Sequence, residues 1–232
     1  MSPRSPIPPR VAALGWFAGW FLGTLVVGSV LLSLFDTGEG PLAPWQLAVM
    51  VGSGWTIFVA LLWMMSNAVG TTSLIADYGL RFRPIDLTGI IVGGAVQLAI
   101  VPVTYLALRS IWPDTFSDEA VSKRASELVS GASGLNLVLL VLVIVIGAPV
   151  VEELVYRGLL QRSFAAHIHP VMAWIGVSIL FAVIHFSAVE IPGLVLAGLA
   201  FGAWPLITGR IGGAIWTHVG FNAAGLVIAL GS

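Results

Sequence analysis

The chain has 232 residues, of which 58% are hydrophobic and 9% are charged, and its formal net charge is -1. Since soluble domains carry about 25% charged residues, this composition excludes a soluble globular protein and indicates an integral membrane protein. The charge balance leaves no basic stripe that would neutralise a nucleic-acid backbone, so nucleic acid is excluded as a partner. The chain has no cysteine, which excludes disulfides and thiolate chemistry.

Several apolar runs are long enough to cross a membrane, which takes about 20 residues of helix. The first run, Val11 to Phe35, is longer than the core of a signal peptide, and no small-residue cleavage site follows it. The other runs lie near residues 44–65, 88–108, 135–160, 170–189, 191–208 and 212–230. The sequence therefore predicts an all-α, polytopic transmembrane helix bundle of about seven spans.

Turn-prone and charged segments separate the runs and divide the chain into four parts. These parts are a cytoplasmic proline-rich tail (1–10), N-terminal membrane helices (11–109), an outer polar loop with partial helix (110–134) and the membrane helices of the candidate site (135–232). Three GxxxG motifs begin at Gly19, Gly89 and Gly198. They indicate close helix packing within one bundle rather than dimerisation.

The basic residues are unevenly distributed between the two sides of the predicted bundle. If the N-terminus is cytoplasmic, most of them fall inside, which agrees with the positive-inside rule. The inner ones are Arg4, Arg10, Arg81, Arg83, Arg162 and Arg210, and the outer ones are Arg109, Lys123 and Arg124. We therefore expect a multi-pass protein of a bacterial-type plasma membrane, with its N-terminus in the cytoplasm and its C-terminus outside.

A cluster of charged residues follows the most apolar run. Because side chains at i and i+4 share a helix face, Glu153 and Arg157 are predicted to form a supporting ion pair. Glu152 points about 100° away and has no basic partner in its own helix. Alternatively, both carboxylates merely cap the inner end of a helix at the membrane interface. Against this stands the cost of inserting an acid between apolar residues, about 2.5–3.5 kcal/mol.

Two more polar pairs have helical spacing in later spans. Phe181 and His185 are four residues apart, as are His218 and Asn222, so each pair shares a helix face. The candidate catalytic residues, which are predicted to converge in the bundle, are Glu152, His185, His218 and Asn222. Counting residues from the nearest turn places His218 at a smaller depth in the membrane than His185. Their levels agree only if the hairpin of the fourth and fifth helices projects into the cytosol.

These residue types suit the hydrolysis of a peptide bond. A carboxylate in an apolar pocket, here Glu152, can take a proton from water and return it later. His218 and Asn222 offer N–H donors for an oxyanion, and His185 can position the water. The same set can also hold zinc, because two histidines and a glutamate with an open fourth position form a catalytic site. If a metal is bound, its predicted ligands are Glu152, His185 and His218, and the sequence leaves zinc and metal-free catalysis both open.

Three motifs in register give the chain a family resemblance. Residues 152–157 (EELVYR) match EExxxR, residues 181–185 (FAVIH) match FxxxH, and residues 218–222 (HVGFN) match HxxxN. In this order and spacing the chain resembles the CPBP family, the CAAX-prenyl endopeptidases (type II) and bacteriocin-processing, ABI-like intramembrane proteases. The resemblance covers roughly residues 135–230, and residues 79–87 (GLRFRPIDL) are similar to a loop that often precedes the family domain.

The resemblance implies a helical bundle with a conical active-site cavity that opens to the cytosol and to lipid. It implies that Glu152 is the general base, that His185 helps to hold the water, and that His218 and Asn222 stabilise the oxyanion. The supporting residues that it implies are Glu153, Arg157 and Phe181.

The predicted function is therefore an intramembrane endopeptidase acting on a hydrophobic, membrane-anchored or prenylated (CAAX-type) substrate. Its expected partners are such a peptide and membrane lipid. Two other functions stay open. A proton-coupled transporter would use the same residues as a relay, although the sequence has no obvious internal repeat. A non-catalytic immunity or scaffold protein would keep the fold without the reaction, although the motifs are intact.

Overall fold

The computed structural model describes residues 7–35, 42–130 and 132–231. Within these ranges the chain forms helices and no strand, which confirms the predicted all-α class. Residues 1–6 of the predicted tail, with Arg4, lie outside the described residues. The helices are α1 (Pro9–Leu34), α2 (Pro44–Val69), α3 (Leu74–Tyr78), α4 (Pro84–Ile111), α5 (Asp118–Val129), α6 (Gly134–Ala165), α7 (Pro170–Val183), α8 (Ile191–Thr208) and α9 (Gly212–Gly231).

Six of the described helices are long and apolar enough to cross a membrane, namely α1, α2, α4, α6, α8 and α9. The predicted span 170–189 is shorter than expected, because α7 has only 14 residues and ends at Val183. At 1.5 Å per residue it is about 21 Å long, less than the roughly 30 Å of a bilayer core. The chain leaves the helix at Phe186, whose φ of 53° lies in the left-handed region that commonly ends helices.

Helix α6 is longer than a membrane span requires. Its 32 residues correspond to roughly 48 Å at the α-helical rise, so one end extends well past a bilayer core of about 30 Å. This length supports the predicted projection of the hairpin formed by α6 and α7. His218, six residues after Gly212 at the start of α9, lies with its Nε2 3.9 Å from Oε2 of Glu152, near the middle of α6.

Helices α4 and α9 pack backbone against backbone. A Cβ atom at Gly93 would collide with the carbonyl oxygen of Thr217, and one at Gly89 would lie 2.7 Å from the carbonyl oxygen of Gly213. The other GxxxG motifs also face neighbouring helices of the bundle, with Gly23 against Gly54 of α2. The prediction that these motifs pack helices within the bundle is confirmed.

The chain between α2 and α4 is fixed by buried polar groups. Asp77 of α3 accepts hydrogen bonds from the backbone N–H of Thr71 and from the hydroxyls of Ser66 and Thr71. The hydroxyl of Tyr78 donates to the carbonyl oxygen of Leu62 at 2.6 Å. Burial, and then the charge of Asp77, raise the pKa of Tyr78, so its hydroxyl stays a donor. These bonds hold the connection against α2.

Candidate active site

Glu153 and Arg157 form the ion pair that their spacing predicts, and they form it in the core. Arg157 Nη1 lies 2.9 Å from Glu153 Oε1, and both side chains are fully buried. Arg157 Nη2 donates to the carbonyl oxygen of Gly198 in α8 at 3.0 Å. Through this second bond Arg157 ties α6 to α8. Removing either member of the ion pair would leave the other as an uncompensated buried charge.

His218 of α9 lies between the two glutamates of α6. Its Nδ1 is 2.9 Å from Glu153 Oε1, and its Nε2 is 3.9 Å from Glu152 Oε2. A carboxylate only accepts hydrogen bonds, so Nδ1 carries the proton and donates it to Glu153. This bond fixes the tautomer and turns Nε2 toward Glu152. The continuous chain of contacts therefore runs from Arg157 through Glu153 and His218 to Glu152.

Aromatic rings enclose this series of contacts. The ring of His218 stacks on Phe201 at a centroid distance of 4.3 Å, and Phe181 meets it edge-on at 5.8 Å. The guanidinium carbon of Arg157 lies 4.7 Å from the ring centroid of Phe181 and 5.3 Å from that of Phe201. A cation over an aromatic face is attracted by the ring quadrupole. The rings therefore exclude water from the ion pair and stabilise its cation.

Phe201 was missed by sequence reasoning. It is fully buried in α8 and touches both His218 and Arg157. The sequence does not distinguish it from the other apolar residues of its span. Its place beside Gly202, in the motif that begins at Gly198, was the only signal that it faces a neighbouring helix.

His185 lies two residues after the end of α7. Its Nδ1 lies 2.7 Å from the carbonyl oxygen of Phe181, which only accepts, so Nδ1 carries a proton and donates it in this hydrogen bond. The edge of Phe181 meets the imidazole at a centroid distance of 5.0 Å. Phe181 thus contacts the rings of both His185 and His218.

One cavity contains both Glu152 and His185. Its volume is about 290 Å³, and its walls come from α1, α2, α6 and the end of α7. Most of the lining is apolar, including Trp20, Trp55 and Phe58. The side chain of Glu152 is 28% exposed, whereas Glu153 is fully buried. Of the adjacent carboxylates, Glu152 is therefore the one that can meet a ligand in this cavity.

The side-chain amide of Asn222 binds the backbone of α6 rather than the group around Glu152. Its Nδ2 donates to the carbonyl oxygen of Ile144 in α6 at 2.8 Å. That carbonyl lacks helical donors, because the N–H of Ala148 bonds to Val143 in a π-helical turn and Pro149 has no N–H. Asn222 lines a second cavity of about 310 Å³, whose walls include neither Glu152 nor His185.

The predicted residues are thus brought together in part. Glu152, Glu153, Arg157, Phe181 and His218 form one connected group, and His185 joins it through Phe181 and the shared cavity. The amide of Asn222 is bound to the α6 backbone. Among the described residues, no group of three or more His, Asp or Glu side chains that could hold a metal ion is found.

A stretch in the second half of the chain matches a known protein family. Residues 134–224 match the family model described as Type II CAAX prenyl endopeptidase Rce1-like. The matched range runs from the start of α6 into α9 and includes every candidate catalytic residue. No curated protein and no solved structure matches the chain.

Proposed function

Residues 134–224 belong to the Rce1-like family of type II CAAX prenyl endopeptidases, and from this premise we propose that the protein cleaves peptides with Glu152 as its general base. The protein is an integral, multi-pass membrane protein of a CAAX-type endopeptidase family. The observation that carries the proposal is the position of Glu152, partly exposed in an apolar cavity with His185 and backed by His218.

The proposed reaction begins with a water molecule held beside Glu152. The 3.9 Å separation between Glu152 Oε2 and His218 Nε2 allows one water to lie within hydrogen-bond distance, about 2.8 Å, of both atoms. Glu152 takes a proton from this water while the water oxygen attacks the peptide carbonyl carbon. Glu152 then returns the proton to the amide nitrogen as the C–N bond breaks. The products are a new amine and a new carboxyl group, which keeps the second proton of the water until it ionises in solvent.

The buried residues keep this arrangement in place. Arg157 neutralises Glu153, and Glu153 holds the Nδ1 proton of His218, so the imidazole keeps Nε2 toward the water. Such a hydrogen-bond partner fixes both the tautomer and the ring orientation. For the oxyanion role in this proposal, Nε2 of His218 takes a proton from solvent before the reaction, and it then donates that N–H to the developing oxyanion without releasing it. His185, which lines the same cavity as Glu152, orients the water in this proposal.

We assign Asn222 a positioning role instead of the oxyanion role that the family resemblance implies. Its hydrogen bond to Ile144 satisfies a carbonyl left without a donor by Pro149, eight residues before Arg157. This bond connects α9, which carries His218, to α6, which carries Glu152. Asn222 therefore acts on the reaction through the relative position of these two residues.

The proposed substrate is a hydrophobic or lipid-modified peptide. The Glu152 cavity is lined mainly by apolar side chains from α1, α2, α6 and the segment after α7, and the first three helices are long enough to cross a membrane. An acyl or prenyl chain that already lies in the membrane has no water contacts to lose when it packs against Trp20, Trp55 and Phe58. The apolar cavity thus matches the prenylated C-terminal peptides on which the family name is based.

The proposal is tested with quenched-fluorescent CAAX peptides, farnesylated and unmodified, and detergent-purified protein. We expect one cleavage near the modified cysteine, faster for the farnesylated peptide, with products identified by mass spectrometry. Proton-coupled transport in liposomes without cleavage of any peptide would contradict the proposal and establish the transporter function. A matched carboxylate control is Glu119→Gln, which changes an exposed residue of α5 far along the chain from the motifs.

A further inference from the structure

Four arginines from three separate parts of the chain line one cavity. Arg81 and Arg83 precede α4, Arg162 lies near the end of α6, and Arg210 lies between α8 and α9. The cavity has a volume of about 410 Å³. It shares no lining residue with the cavity of Glu152. We propose that this arginine cavity binds the phosphate group of an anionic ligand.

One arginine is already neutralised. Arg210 donates to Asp86 from Nε at 3.1 Å and from Nη2 at 2.6 Å, and Asp86 is fully buried. Asp86 also accepts the backbone N–H of Arg83 at 2.8 Å. A two-point bond of this kind fixes the plane of the guanidinium. Asp86 therefore holds the loop before α4 against the loop after α8, and residues of both loops line the cavity.

The other three arginines have no carboxylate at ion-pair distance within the described part of the chain. Arg162 donates to the carbonyl oxygens of Gly209 at 3.1 Å and Ala76 at 3.4 Å. Its Nε is buried without a hydrogen-bond partner among the described residues. Arg81 and Arg83 are exposed at the cavity. The cavity thus combines an excess of positive charge with the exposed guanidinium groups of Arg81 and Arg83.

The backbone keeps the cavity open. Gly79 has a φ of 67°, and its carbonyl oxygen accepts the N–H of Ile211 at 3.0 Å. A Cβ atom at Gly79 would lie 3.0 Å from Arg162 Nη1 and 3.2 Å from the carbonyl oxygen of Gly209. Because only glycine adopts this conformation without strain, the turn leaves room for the arginine beside it.

The chemistry of the cavity matches a phosphate. Guanidinium groups present paired N–H donors that fit phosphate oxygens. All four arginines stand at ends of spans, where the headgroups of anionic phospholipids lie. Both a lipid headgroup and free phosphate carry this group, and the experiment distinguishes these sources.

The test compares the wild type with Arg81→Gln/Arg83→Gln. Arg10→Gln is the matched control, because Arg10 is exposed at the start of α1 and does not line the cavity. The first assay measures spin-labelled phosphatidylglycerol association with the protein in phosphatidylcholine bilayers. The second measures binding of ³²P-labelled inorganic phosphate to detergent-purified protein by equilibrium dialysis. Arg81→Lys/Arg83→Lys, which keeps the charge, shows whether any loss is due to charge.

Each arginine beside an anionic group contributes about a fivefold preference, so the double substitution should weaken binding about 25-fold at low salt. Arg10→Gln should bind as the wild type does, and the lysine variant should keep most of the preference. A lost phosphatidylglycerol preference supports the proposal with a lipid headgroup as ligand. Lost phosphate binding without any lipid preference supports it with free phosphate. Equal binding by the wild type and Arg81→Gln/Arg83→Gln in both assays would overturn it.

Discussion

Arg157 offers the sharpest test of how the candidate site is built. The substitution Arg157→Met keeps most of the volume but removes the charge that faces Glu153 at 2.9 Å. Glu153 would then be a fully buried carboxylate whose remaining partner is His218. The carbonyl oxygen of Gly198 would lose a donor, and the rings of Phe181 and Phe201 would lose their cation.

The magnitude follows from this burial. Breaking a buried ion pair by removing one partner costs about 3–5 kcal/mol, because the other charge stays uncompensated. For a protein of this size, each kcal/mol shifts the unfolding temperature by about 2–4 °C. We therefore expect Arg157→Met to lower Tm by about 6–20 °C. Adding Glu153→Gln removes the stranded charge and leaves an oxygen for His218, so the double variant should recover most of the loss.

The assay is thermal unfolding in detergent, followed by the fraction of monodisperse protein in size-exclusion chromatography after heating. The control Arg10→Met removes an exposed arginine and should leave Tm within about 1 °C, as surface substitutions usually do. An Arg157→Met protein with the Tm of the wild type would refute the reasoning. So would a double variant that is less stable than Arg157→Met.

Three further predictions concern contacts between helices and between loops of the bundle. Asn222→Ala should reduce stability by roughly 1–3 kcal/mol, because it leaves the carbonyl of Ile144 unpaired; lost cleavage with an unchanged Tm would instead support the oxyanion role. Gly93→Ala should lower the folded yield, since the added Cβ would collide with α9, whereas Gly94→Ala meets open space and should not; equal yields on chromatography would contradict this packing. Arg210→Gln should lower Tm by removing the partner of buried Asp86, and a Tm equal to that of the wild type would show that this pair contributes no stability.

The local geometry of the site could largely be predicted from spacing. An i to i+4 interval determines a shared helix face, so the contact of Glu153 with Arg157 followed from two residue numbers. The different direction of the Glu152 side chain followed from the rotation of about 100° between neighbouring helical residues. The three motifs likewise identified the family that residues 134–224 match.

The remaining features depend on backbone details that spacing does not encode. The π-helical turn before Pro149 frees the carbonyl of Ile144, and only this makes Asn222 a partner of α6. The early end of α7 depends on the left-handed conformation of Phe186, which an apolar run of uniform composition conceals. The arginine cavity arises because loops far apart in sequence meet at Asp86.

The central claim is that Glu152 activates the water that cleaves the peptide. The most direct test is the turnover rate of Glu152→Gln on a farnesylated CAAX peptide, measured beside the wild type and Glu119→Gln. Glutamine keeps the size of the side chain but takes up no proton, so the rate should fall by about 10²-fold or more, while Glu119→Gln keeps the wild-type rate. A Glu152→Gln protein that cleaves the peptide at a near-normal rate would contradict the account.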